Sequence, residues 1–180
     1  MSQEPFEDRM AILVSRYATP LAIALVSMGI ILAQPQGGTR DIVIGLLFWG
    51  IFFNHFILSF IKRDGPGCWF IKLRLLVNLA TNTLMVYFLG SHWPPIWLLL
   101  ALTPIATAIY SSKARTMLAA GAVSAILLVL HALRGPHSAM GWGTEAAQAA
   151  FIVLLSLLIN ELSVHARAHE HSATGPVLQK

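Results

Sequence analysis

The chain has 180 residues, 56% of them hydrophobic and only 11% charged, and a mean hydropathy of +0.69. Soluble domains average about 25% charged residues, so twelve basic and eight acidic side chains cannot coat a water-soluble body of this length, and the composition points to an integral membrane protein. A net charge of +4, with the basic residues scattered through short connections, gives no nucleic-acid face, and the single cysteine, Cys68, excludes an internal disulfide.

The chain opens with MSQEPFEDR, whose three acids are the wrong flank for a secretory leader, so no cleavable signal is expected. Six apolar runs follow. They cover residues 10–33, 41–61, 69–89, 96–110, 116–133 and 146–164, and turn chemistry closes each of the first five: QPQGGTR, KRDGPGC, GSHWPP, SSKAR and RGPHSAMGWGTE. A helix needs about 20 residues to cross about 30 Å of hydrocarbon, and helices satisfy their own backbone groups where lipid cannot. The expectation is an all-α bundle of six antiparallel transmembrane spans. The fourth run is the shortest, and Trp93, Pro94 and Pro95 are expected to form its first turn, where proline has no helical partner to lose. Thr103-Pro104 inside it predicts a kink.

Orientation follows from charge. With both termini cytoplasmic, only Arg40 and Arg134 of the twelve lysines and arginines fall on the outer side. Trp93, Trp97 and Trp142 then lie at the outer interface and Trp69 at the inner one.

Polar side chains inside the apolar runs are the candidates for function. In RLLVNLATNTLM, Arg74, Asn78, Asn82 and Met85 are spaced four, four and three apart, which is one helical face, with Thr81 at its border. That edge is expected to turn toward other helices. Asn54 and His55 in FFNHF lie at a depth that the antiparallel third span brings close to Arg74 and Asn78. These five residues, Asn54, His55, Arg74, Asn78 and Asn82, form a candidate ligand-binding or signalling site, or else polar glue that fixes helix pairing. His92, His131 and His137 share the outer side and are weaker candidates for metal. So are His165 and His169, which form a row with Glu161 in NELSVHARAHEH, although a solvated exit from the membrane explains that row as well. No close ligand spacing links the three outer histidines, and neither a metal nor another cofactor is expected. No phosphate loop, HExxH, GxSxG or paired intramembrane carboxylate occurs, and the chain is not expected to be an enzyme.

The segment KLRLLVNLATNTLMVYFLGSHWPPIWLLLALTPIATAIYSSKARTML, with the basic loop before it, resembles the multi-span membrane input region of bacterial sensor histidine kinases and related signalling proteins. The resemblance spans residues 48–167. It rests on an arginine-led span with a polar residue one turn on (Arg74, Asn78), a Gly-Ser outer loop, a proline-containing span and an apolar last helix. It implies that the sixth helix continues into the cytoplasm as a signalling helix. VHARAHEH lacks the family's phosphoacceptor pattern, so the resemblance is to the membrane region without its kinase domain.

The expected organisation is a transmembrane domain over residues 1–168 and a flexible cytoplasmic tail over 169–180. The expected role is a non-catalytic sensory or regulatory module of the bacterial inner membrane, passing a signal to a cytoplasmic partner through the sixth helix. Its partners are membrane lipids and other membrane or cytoplasmic proteins, a second copy of the chain included, and no nucleic acid. An accessory subunit of a larger respiratory, photosynthetic or secretion complex is the alternative, and a small transporter a more distant one.

Overall fold

The structure, a computed structural model, describes the backbone of residues 6–64, 68–135 and 138–174, and the side chains of 17, 19–56, 73, 75–109, 111–135 and 138–168. Among these residues the chain is all-helical, without strands. The helices are α1 (Phe6–Ala33), α2 (Gly37–Asp64), α3 (Cys68–Leu89), α4 (Leu98–Tyr110), α5 (Lys113–Leu133) and α6 (Ala139–Thr174), with a 3-10 turn at Pro94–Trp97 ahead of α4.

The stops are chemical. α1 ends at Gln34, whose φ of 43° is left-handed, and Pro35 follows. α5 ends on Arg134 and then Gly135, at φ 114°, where a side chain would be strained. Pro94 and Pro95 open the 3-10 turn, where their missing N–H groups cost nothing. The apolar runs ending at residues 33, 89, 110 and 133 therefore end with their helices.

The sixth helix departs from the expected run of 146–164. It begins at Ala139, inside the stretch taken as a loop, and continues to Thr174, into the stretch taken as a tail. Its start is capped. Ser138 Oγ accepts a hydrogen bond from the Gly141 N–H at 3.1 Å, which satisfies a first-turn donor that has no helical partner. TEAAQAA then carries the helix on, since alanine, glutamate and glutamine are strong helix formers. The result is 36 residues of continuous helix, about 54 Å at the standard rise.

The chain divides into two compact units, Ala18–Thr103 and Pro104–Lys180 with Met1–Tyr17. One division falls at Thr103-Pro104, where the proline ring deletes a backbone bond inside α4. In the first unit α2 and α3 pair antiparallel: Gly50 faces Thr81, and Asn54 faces Asn78. Val26, Val43, Val86, Leu89, Ile96, Leu99 and Leu100 are fully buried in it. Gly29 of α1 admits a close approach here. A Cβ at that position would stand 2.7 Å from Leu89 Cδ2 and 2.9 Å from Trp93 Cδ1. In the second unit α5 and α6 form an antiparallel hairpin, with His131 beside Trp142, Ser124 beside Ala149 and Lys113 beside Glu161. Val123, Leu127 and Ile152 fill its centre.

Among the described residues two helical stretches are long and apolar enough to cross a membrane, Lys113–Leu133 and Ala139–Ala168. Thr19–Ala33, Leu75–Leu89 and Pro94–Ile109 are shorter apolar stretches.

Candidate functional site

Asn54 and Asn78 meet across α2 and α3. The Asn54 amide donates to Asn78 Oδ1 at 2.9 Å, and the Asn78 amide donates back to Asn54 Oδ1 at 3.0 Å. Asn54 Nδ2 also donates to the Gly50 carbonyl at 2.9 Å, one turn back on its own helix. Each amide thus both gives and receives, and the pair is neutral. Chemically it is a register lock that can exchange its internal bonds for those of a ligand carrying donor and acceptor together.

Asn82, one turn beyond Asn78, makes a different bond: its Nδ2 donates to the Leu99 carbonyl at 3.1 Å and ties α3 to the first turn of α4. Thr81 is buried beside it, and Thr83 turns its hydroxyl back onto the Leu79 carbonyl at 2.7 Å. His55 is exposed, because one residue of helix rotates it about 100° from Asn54. Arg74 is helical in α3, and its side chain lies outside the described set.

The histidines are dispersed. His92 is exposed, its Nδ1 2.9 Å from Ser91 Oγ. His165 is exposed, with Nδ1 2.9 Å from the Glu161 carbonyl oxygen one turn back, while the Glu161 carboxylate pairs with Lys113 at 3.6 Å. His169 is in α6 with its side chain outside the described set, and His137 lies outside the described residues. Among the described residues no group of three or more His, Cys, Asp or Glu is placed to hold a metal ion.

The chain matches no protein-family model, no curated protein and no solved structure.

The early start of α6 adds a polar group that the loop assignment concealed. Glu145 is half a helix turn past Gly143 on α6 and lies against His131 of α5, with Oε1 3.4 Å from Nδ1. Both side chains are largely buried, at 15% and 9% exposure, unlike the exposed pairs Arg40–Asp41 and Lys113–Glu161. The Trp142 ring stands edge-on to the imidazole, 4.9 Å away at 75°. Gln148 follows Glu145 by three residues and shares its face. Two sequence signals pointed to this arrangement: a serine three residues before the needed N–H, and an alanine-rich run around Glu145.

Two further links hold the hairpin and its neighbour. Ser124 Oγ donates to the Ala149 carbonyl at 3.0 Å. Asn160, buried in α6, donates to the carbonyls of Ala108 and Ser111, both at 2.8 Å, and so satisfies acceptors at the end of α4. The sequence offered Asn160 as a lone amide in an apolar run, the same signal that drew attention to Asn78.

Proposed function

We propose that the chain is a six-span protein of the bacterial inner membrane, with both termini cytoplasmic, that acts as a non-catalytic sensory or regulatory module. The single observation that carries this reading is α6. One uninterrupted helix begins at the His131–Glu145 contact, runs through its apolar stretch and continues into NELSVHARAHEH. About 54 Å of helix exceeds the roughly 30 Å of a hydrocarbon core, so its last turns stand in water. A rigid rod fixed at one end by a buried polar contact is a physical means of passing a shift or rotation to a partner at the other. The resemblance to sensor kinase input regions supports the same direction of signalling.

The membrane setting draws support from exposed apolar side chains on both units: Phe48 and Phe52 on one, and Leu118, Leu154 and Leu162 on the other, are each more than half exposed. The test is to place single cysteines along residues 158–168, in a background lacking Cys68, and to crosslink in native membranes. Signalling through α6 predicts crosslinks at a helical period whose phase changes when Glu145 is replaced by alanine. A pattern indifferent to that replacement would overturn the relay.

The accessory-subunit reading has its own observation. Phe48, Phe52 and Phe56 form an exposed row on α2, with the Phe52 and Phe56 rings stacked at 5.9 Å and 18°. A flat aromatic ridge suits protein docking as well as lipid. Native purification decides this: a stoichiometric complex in mild detergent favours the subunit, and a chain free of larger partners favours the module.

A further inference from the structure

The chain passes between its two compact units twice, from Tyr17 to Ala18 and from Thr103 to Pro104, and both crossings lie inside helices, α1 and α4. Among the described residues proline also occurs inside an α-helix at two places, Pro20 and Pro104. The two sets of positions coincide. Pro20 follows the first crossing within a turn, and Pro104 is the first residue after the second. A proline within a helix lacks the N–H that would bond the carbonyl four residues back. The missing bonds are those to the Arg16 and Leu100 carbonyls, and each would have straddled a crossing.

The helix on either side of the weak point is fastened separately. In α4, the Leu99 carbonyl accepts from Asn82 within the first unit, and the Ala108 carbonyl accepts from Asn160 within the second. Leu99, Leu100 and Ala108 are all fully buried. In α1, the part beyond its crossing is set at Gly29 against Leu89 and Trp93 of the same unit. The remaining long helices stay whole: α2 and α3 lie entirely in one unit, and α5 and α6 entirely in the other. We infer that Pro20 and Pro104 together form a hinge on which the two units swing. Two points define one axis, so a rotation about it bends α1 and α4 at their prolines and asks nothing of the other four helices. A swing of about 20°, the size of an ordinary proline kink, carries a point about 22 Å along a helix through about 8 Å. The hinge goes beyond the proposed function. It holds whether or not α6 passes a signal, because α6 travels as part of its unit.

Pulsed electron spin resonance on the full chain in lipid nanodiscs tests the hinge, with spin labels on cysteine pairs in a Cys68→Ser background. The test pair is Ser91→Cys with Ser138→Cys, one label in each unit. The control pair is Ser112→Cys with Ser138→Cys, both in one unit. The expected distance distribution of the test pair is broader than that of the control by several ångströms. Pro20→Ala with Pro104→Ala returns both backbone bonds and should narrow the test pair to the width of the control, with helix content by circular dichroism preserved. Pro104 is buried, and its replacement also removes packing, whereas Pro20 is exposed. If the double variant fails to fold, Pro20→Ala alone carries the test and should narrow the test pair in part. A test pair no broader than the control in the native sequence would overturn the hinge. So would a width unchanged by the proline replacements, or a shifted mean at constant width, which would make the two prolines fixed kinks.

Discussion

At the scale of single residues, the amides do most of the work of pairing helices. Asn78→Ala removes one half of a reciprocal pair and takes from the Asn54 amide both of its bonds across to α3. The expected cost is about 1 kcal/mol in reversible unfolding from mixed micelles. Replacing both residues by leucine should recover most of it, because no polar group is then stranded. Asn160→Leu should cost more, about 2 kcal/mol, since two carbonyls at the end of α4 lose their donor together. A smaller loss for Asn160 than for Asn78, in the same assay, would contradict this ranking. The polar face of α3 could be read from spacing alone, and the depth match between Asn54 and Asn78 followed from antiparallel neighbours. What spacing could not supply is the division of that face, in which Asn78 bonds across to α2 while Asn82, one turn on, bonds to α4. Side-chain periodicity reports a direction from one helix and says nothing of which neighbour stands there. His55 and Asn54, adjacent in sequence, separate for the simpler reason that a helix turns about 100° per residue.

At the scale of elements, the helix stops at residues 33 and 133 were legible, whereas the starts of α2 at Gly37 and of α6 at Ala139, both inside glycine-containing stretches read as turns, were not. Gln34-Pro35 and Gly135 stop helices by backbone geometry that follows from residue type. HSAMGWGTE misleads because two glycines and a run of mixed polarity resemble a loop, whereas the Ser138 cap makes the first turn of α6 viable. The consequence reached the site, since Glu145 meets His131 of α5 from a turn that the loop assignment left out of the helix. Close packing is a second property that residue type only hints at. Gly29 looks unremarkable in an apolar run, yet a methyl group there would collide with Leu89 and with the rigid Trp93 ring. Gly29→Ala is therefore expected to destabilise the chain by about 1–3 kcal/mol despite alanine's better helix propensity. Gly121→Ala, where a Cβ meets nothing within 4 Å, is the matched control and should be neutral or stabilising. Equal effects at the two positions would show that α1 does not pack on Leu89 and Trp93 in this way.

At the scale of the whole molecule, the proposed six crossings have a direct chemical test. Length and composition mark Lys113–Leu133 and Ala139–Ala168 as able to cross, and the other apolar helices are shorter over their described residues. The six-span reading rests instead on charge placement: Arg40 and Arg134 alone among twelve basic residues lie on the outer side of that topology. It makes a prediction that no two-span arrangement shares. Ser91, Ser112 and Ser138 are exposed residues in three successive connections. With Cys68→Ser as background, the single replacements Ser91→Cys and Ser138→Cys should react with a membrane-impermeant maleimide on intact cells. Ser112→Cys should react only after permeabilisation, because it lies between α4 and α5 on the inner side. Labelling of Ser112→Cys on intact cells, or protection of Ser91→Cys, would remove one or both of α3 and α4 from the spans. The positive charges that set the orientation would then be facing the wrong compartment, and the cytoplasmic exit assigned to α6 would have to be withdrawn with them.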